Sequence, residues 1–155
     1  MTKSGPVVGL LVTAALTLPT AAPAVAAPVP TGCGEACDQQ DPQTYNTCGA
    51  GCPDNVPQHC ADEAVTPHVS ARGWVELRYS ATCRTVWSRV GAAFPAHAEH
   101  WTETRYSNGR LRLATTPTTQ TWSPMLSDAD LAGRACAATL GPSGRHLIMD
   151  CTPWF

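Results

Sequence analysis

Eight cysteines, Cys33, Cys37, Cys48, Cys52, Cys60, Cys83, Cys136 and Cys151, limit what this 155-residue chain can fold into more than any other feature. Their meaning depends on compartment, and the N-terminus speaks to that. Lys3 precedes an apolar run from Val7 to Leu18, followed by the small-residue stretch Ala21-Ala22-Pro23-Ala24-Val25-Ala26. This is the three-part pattern of a secretory signal peptide. A membrane-spanning helix would need roughly 20 apolar residues, whereas this run is shorter and is interrupted by Pro19 and Pro23. Residues 1–26 are therefore expected to direct secretion and to be cleaved after Ala26, and no later stretch reads as spanning a bilayer. All eight cysteines fall in the mature part, and an even number in an oxidising compartment reads as four disulfides. The competing reading is zinc: Cys33 and Cys37, and Cys48 and Cys52, are spaced at the loose end of the ligand range, and His59 adjoins Cys60. Outside the cell such a site competes poorly with oxidation, so no metal or other cofactor is expected. The sequence does not choose among the possible connectivities.

Lys3 is the only lysine, which leaves nine arginines against twelve acidic residues after cleavage, a net charge of about −3. Binding along a phosphate backbone requires a broad positive field. Nucleic acid is accordingly excluded as an expected partner, as is a polyanionic membrane surface. About 129 mature residues suffice for one domain whose core alone is only moderately stabilising.

Organisation changes near residue 61. Residues 27–60 are rich in Pro, Gly, Gln, Asp and Cys with almost no aliphatic side chains. A segment of that composition cannot bury a core of its own, so it reads as an irregular arm held by crosslinks or by a partner. Residues 61–155 form the body and contain Trp74, Trp87, Trp101, Trp122 and Trp154. Within it the period is mostly two. Trp74, Glu76 and Arg78 alternate with Val75, Leu77 and Tyr79, the pattern of a strand with one covered face, and residues 83–90 form a second strand. Alternation from His97 to Tyr106 runs into Asn108-Gly109, which predicts a two-residue hairpin turn pairing Tyr106 with Leu111 and Thr104 with Leu113. Residues 115–122 offer another strand broken by Pro117. Ser127-Asp128-Ala129-Asp130 offers the N-cap of a short helix, and residues 134–140 and 146–151 flank a Gly-Pro-Ser-Gly loop. The fold class expected is mainly β: a small disulfide-stabilised antiparallel sheet or barrel-like domain with a Cys-rich irregular N-terminal arm and at most one short helix.

The phrase Trp74-Val75-Glu76-Leu77-Arg78-Tyr79-Ser80, followed by Cys83 and Trp87 and preceded by Cys60-Ala61-Asp62 and residues 64–66, resembles the YjfA-type secreted domain of high-GC Gram-positive bacteria. Asp41-Pro42 between the early cysteines and Arg134-Ala135-Cys136 also match it, so the resemblance runs over roughly residues 37–137. It implies a small β-rich domain of unknown function and brings no catalytic residues. It further implies that Cys33, Cys48, Cys52 and Cys151 are additional to the pattern, leaving Cys37, Cys60, Cys83 and Cys136 to pair among themselves. Local geometry disagrees at one point, because Cys136 and Cys151 flank a plausible hairpin. That pairing stays open at the level of sequence.

A search for catalytic constellations is largely negative. No serine occupies a Gly-x-Ser-x-Gly setting. Glu99 and Glu103 share a strand face but stand roughly 13 Å apart at about 3.3 Å per residue, beyond the separation of a glycosidase pair. They read as solvent-facing, with Glu103 diagonal to Arg112. His97 and His100 point to opposite faces of a strand and read as partly exposed polar residues. Asp128 and Asp130 are more simply helix caps than calcium ligands. Trp74, Trp87 and Trp122 are the expected core tryptophans. Trp101, on the face carrying Glu99, Glu103 and Arg105, is the one expected to be exposed. Tryptophan and arginine are enriched at interaction hot spots, so Trp101 and Arg105 are candidate contacts. Pro28, Val29 and Pro30 in the arm are the others, since a proline-bearing extended segment can add to a partner's sheet edge or lie in its groove. The reading is a non-catalytic secreted interaction module, an adaptor or surface-binding subunit of an extracellular assembly, conceivably one used against competing bacteria. Its partner would be another secreted protein or a cell-surface component. The alternative is a secreted hydrolase or hydrolase inhibitor.

Overall fold

The computed structural model describes residues 32–46 and 58–155, together with Met1. Residues 2–26 of the expected signal segment, Pro28, Val29 and Pro30, and Cys48 and Cys52 lie outside the described residues. A single 3-10 turn, η1 (Gly34–Cys37), is followed by eight strands: β1 (Val65–Val69), β2 (Val75–Ser80), β3 (Thr85–Val90), β4 (Ala98–Arg105), β5 (Leu111–Ala114), β6 (Leu126–Ser127), β7 (Ala132–Leu140) and β8 (His146–Cys151). They form two antiparallel four-stranded sheets, in the orders β1-β2-β3-β6 and β5-β4-β7-β8. The mainly β, disulfide-stabilised class expected from the alternating pattern is what the chain adopts.

The alternation decides which side chains meet between the sheets. Val75, Leu77 and Val86 of the first sheet pack against Ala135 and Ala137 of the second, all fully buried. The facing side chains of β4 are His100, Thr102 and Thr104, also fully buried. A small and partly hydroxylated interior lets the two sheets approach closely. At Gly133 any Cβ would stand 2.7 Å from a methyl of Val86, so only glycine fits. Along one side, residues 115–123 bridge the sheets. Thr118 exchanges backbone hydrogen bonds with His100 of β4, after which the Val90 amide donates to the Thr121 carbonyl and the Ser123 amide to the Ser88 carbonyl of β3. The stretch expected as a broken strand thus acts as a clasp between the sheets.

The opposite face of the first sheet is covered by the N-terminal arm. Trp87, which alternates with Val86 and Ser88, points outward and yet is 1% exposed. It packs with Cys37, Cys60, Cys83 and Met125, and Cys33, Tyr45 and Trp122 close the cluster. The described part of the arm therefore shares a core with the body, which the arm's poverty in aliphatic residues did not foretell. Truncating a side chain such as Trp87 to alanine costs about 3 to 5 kcal/mol in comparable cores.

Three disulfides join the six described cysteines: Cys33–Cys37, Cys60–Cys83 and Cys136–Cys151. Cys60–Cys83 fastens the arm to the loop between β2 and β3. Cys136 and Cys151 are direct cross-strand partners of β7 and β8, with Cα atoms 4.1 Å apart. Hairpin geometry, not pairing among Cys37, Cys60, Cys83 and Cys136, prevails at that bridge.

Several local expectations are corrected. The β4–β5 hairpin keeps Thr104 opposite Leu113, but Leu111 faces Arg105, not Tyr106, because the register shifts between Thr104 and Arg105. The turn runs from Tyr106 to Gly109, closed by the Gly109 amide donating to the Tyr106 carbonyl. Only Gly109 has positive φ, at 84°, while Asn108 does not; this is a type I turn with a glycine bulge, not a two-residue turn. No helix follows Ser127. Residues 126–127 pair with β3 and Asp130 turns the chain at φ 60°, so β7 begins two residues later. Trp74 and Trp122 are half-buried, while Trp87 and Trp101 are the buried indoles.

Candidate functional site

Chemistry-bearing side chains collect in four places. The first is the polar centre between the sheets. His100 is fully buried, which corrects its expected partial exposure, and His97 lies exposed just before β4 with φ 61°. The Nε2 of His100 lies 2.7 Å from the Gln120 carbonyl oxygen, which only accepts, so Nε2 carries the proton. Nδ1 is then left to accept from the Ser88 hydroxyl at 2.7 Å. Burial pushes the imidazole below its ordinary pKa of 6.5, partly offset by the carbonyl. Thr102 and Ser123 continue the network at 2.8 Å. A serine bonded to a histidine has the composition of a nucleophile and base, but Ser88 and His100 are both 0% exposed, and a substrate carbonyl has no approach to the hydroxyl. The pair is a strut between β3 and β4.

The second place is the outer face of the second sheet, where Trp101 and Arg105 stand. Trp101 is 6% exposed, a correction to its expected exposure. The His146 ring stacks on it with centroids 5.3 Å apart, the Cys136–Cys151 bridge packs beside it, and its Nε1 donates to Glu103 at 2.8 Å. Glu103 pairs with Arg134, not with Arg112, and Glu99 is held by His146, so neither carboxylate is simply solvent-facing. Arg105 and Arg134 both lie over the Trp154 ring, at 4.1 and 4.4 Å. Arg105 therefore already has an aromatic partner within the chain. Sequence reasoning missed His146, whose place over Trp101 depends on the register of β8.

The third place is β8, at the edge of its sheet. Leu147, Ile148 and Met149 are 67%, 45% and 54% exposed, a continuous apolar run on a strand with one edge unpaired among the described residues. Such edges are normally blunted by charge, proline or a covering element because they template pairing with another chain.

The fourth is a cleft of about 350 Å³ between the arm and the clasp, lined by Gln39, Asp41, Thr116, Thr118, Gln120 and Trp122, with Pro117 and Pro124. Asp41 Oδ1 accepts from the Gln43 amide at 2.8 Å and from the Trp122 indole at 3.1 Å. The arm wall is fixed by mutual backbone bonds of Gln39 and Gln40 with Met125.

Cysteine sulfurs also meet. Sγ atoms of Cys33, Cys60 and Cys83 lie within 4.8 Å of one another. All three are in disulfides, and a disulfide sulfur lacks the thiolate that binds zinc. His59 of the zinc reading bonds with Asp62. Asp130 faces Arg84 at 3.5 Å, Asp128 is buried with its pKa raised to about 6, chiefly by desolvation, and neither carboxylate belongs to a cluster of three or more potential metal ligands among the described residues. Among the described residues no helix is long and apolar enough to cross a membrane.

No curated protein and no solved structure matches the chain. A family model does, over residues 35–137, from the 3-10 turn of the arm to the middle of β7. That span holds the arm from Glu35 onward, the cleft and the polar centre but stops short of β8. The chain belongs to the family described as Protein of unknown function (DUF2690).

Proposed function

We propose that this is a secreted, non-catalytic protein-interaction module of the YjfA type, serving as an adaptor or surface-binding subunit in an extracellular assembly such as an antibacterial toxin complex. The observation that carries the reading is the edge of β8, where Leu147, Ile148 and Met149 lie exposed on a strand whose outer edge pairs with no other strand among the described residues. A partner strand added there would gain main-chain hydrogen bonds and cover the apolar run. Export is supported by the signal-peptide pattern and by the three disulfides. Residues 27–31, with Pro28, Val29 and Pro30, form the second contact in this proposal, since a proline-bearing segment can lie in a partner's groove.

The test is co-purification of the tagged mature protein from culture supernatant, in parallel with the double variant Leu147→Asp/Met149→Asp and with a deletion of residues 27–31. The deletion stops at 31 because from Gly32 onward the arm is tied to the body, beginning with the Cys33 amide donating to the Cys83 carbonyl. A stoichiometric protein partner, lost in the double variant while the melting temperature is retained, is the expected result. A protein that elutes alone as a monomer in every arm defeats the adaptor. Turnover of a cell-wall or protein substrate by the purified chain defeats the non-catalytic part of the proposal.

A further inference from the structure

The cleft between the arm and the clasp has a lining that selects a ligand class. Among the described residues its side chains supply one carboxylate (Asp41), two carboxamides (Gln39 and Gln120), two hydroxyls (Thr116 and Thr118) and one indole (Trp122), with no lysine, arginine or histidine. An anionic ligand would meet Asp41 and no counter-charge, so phosphates, sulfates and uronates are disfavoured. A lipid tail would desolvate these amides and hydroxyls, of which Gln39 Nε2 donates to the Ala114 carbonyl at 3.4 Å and Thr118 Oγ1 accepts from the Gln120 amide at 3.1 Å, and would offer nothing to the Gln120 carboxamide or the Thr116 hydroxyl. A polyhydroxylated neutral ligand satisfies both halves of the wall. Its hydroxyls exchange hydrogen bonds with planar carboxamide and carboxylate groups, and its C–H face lies on an aromatic ring.

We infer that this cleft is a carbohydrate-binding site for a neutral saccharide, with Trp122 as its aromatic platform and Asp41, Gln39 and Gln120 as its hydroxyl-reading groups. The walls are set before any ligand arrives. Asp41 holds the indole edge through Trp122 Nε1, and Trp122 in turn forms a β-bridge with Arg89 of β3. Thr118 is bridged to His100, and the Gln120 carbonyl is held by the same histidine. The buried polar centre thereby acquires a purpose: it fixes, from behind, the segment that presents Thr118, Gln120 and Trp122. Walls held this way reduce the ordering cost of binding. A cleft of about 350 Å³ is at the small end of ligand sites, which suits one or two sugar units of a longer chain. The site is independent of the β8 edge, so an adaptor could use it to rest on a glycan surface while a protein occupies the edge.

The inference is tested with the full mature protein by calorimetric titration and by amide chemical-shift perturbation. The probes are the tetramers of N-acetylglucosamine and of β-linked glucose, with tetragalacturonate as the anionic control and a proline-rich peptide as the rival occupant. Saturable binding of at least one neutral tetramer, with a dissociation constant on the order of 1 mM or tighter, is expected, with shifts centred on residues 116–122 and none for the uronate. Gln120→Ala, whose side chain the core does not use, is expected to weaken binding by about tenfold. Trp122→Ala abolishes it, and Trp122→Phe retains part of it while preserving the fold. No saturable binding of either neutral sugar, binding that ignores both Gln120→Ala and Trp122→Phe, or preference for the peptide or the uronate overturns the assignment. Loss of the protein partner in the β8 variant leaves this site untouched, so the two proposals fail separately.

Discussion

Asp38 and Arg112, 74 residues apart in the chain, form a two-pronged ion pair, at 2.5 Å and 3.2 Å, that ties the arm to β5. Both side chains are mostly enclosed, at 14% and 12% exposure. Asp38 Oδ1 also accepts from the Ser127 amide of β6 at 2.8 Å, so one carboxylate joins the arm to both sheets. The bonds to Asp38 raise the guanidinium pKa above its ordinary value, against the lowering effect of burial.

Removing the carboxylate leaves a half-enclosed cation and an unpartnered backbone amide, each with its own cost. Asp38→Ala is expected to destabilise the protein by about 2 to 3 kcal/mol in urea unfolding. Glu35→Ala, whose bond to Arg112 is long at 3.5 Å and whose side chain is 90% exposed, should change stability by less than about 0.5 kcal/mol. Equal effects from the two variants would show that Asp38 is no keystone of the arm.

How much of this was legible follows from the range of each interaction. β2 and β4 announce themselves through alternation, a local property that survives in almost any β context, whereas β7 and β8 show in the sequence as apolar runs on either side of the Gly-Pro-Ser-Gly loop. β1 was overlooked because Pro67 interrupts it and its end residues Val65 and Val69 are exposed, which leaves no clear two-residue period. β6 is two residues long, too short to carry any period. Trp101 was placed on the correct face, with Glu99, Glu103 and Arg105, and still given the wrong exposure, since the ring that covers it comes from His146, 45 residues on. Composition leaves the arm short of aliphatic side chains, and the residue its described part packs around, Trp87, belongs to a strand whose pattern points it away from the sandwich. The cleft was illegible for the same reason: Asp41 and Trp122 meet only through the docking of the arm.

Two buried titrating groups give stability opposite dependences on pH. His100 has its pKa lowered by burial from 6.5, so its contribution is present above 6.5 and is lost as pH falls, because the unfolded chain then takes up a proton that the folded protein resists. Asp128 is raised from 3.8 to about 6 and its Oδ1 has no hydrogen-bond partner among the described residues. Its contribution is fully present below 3.8 and is lost as pH rises through about 6. Asp128→Asn is therefore expected to stabilise the protein at pH 7 by about 1 to 2 kcal/mol and to leave it little changed at pH 4. In that background the decline of stability on acidification below 6.5 should steepen, because the opposing carboxylate is gone. Chemical denaturation of both proteins across pH 4 to 8 measures this; a variant less stable at pH 7 would mean that the carboxylate is satisfied there as an anion.

The Cys136–Cys151 bridge holds the strand on which the proposed protein contact depends. It closes a loop of 15 residues, for which chain-entropy arguments give about 3 kcal/mol, and it packs against Trp101, which His146 covers from the start of the same strand. Cys136→Ser/Cys151→Ser is expected to lower stability by about 2 to 4 kcal/mol and to raise amide exchange in β8 far more than in β2 and β3. Among the described residues β8 has only β7 as a strand neighbour, whereas β2 and β3 lie within the first sheet and carry both cores. Exchange that rises equally in both sheets would show that the bridge supports the whole sandwich and not its edge. Unchanged exchange in β8 would show that the Trp101–His146 stack is sufficient to hold it.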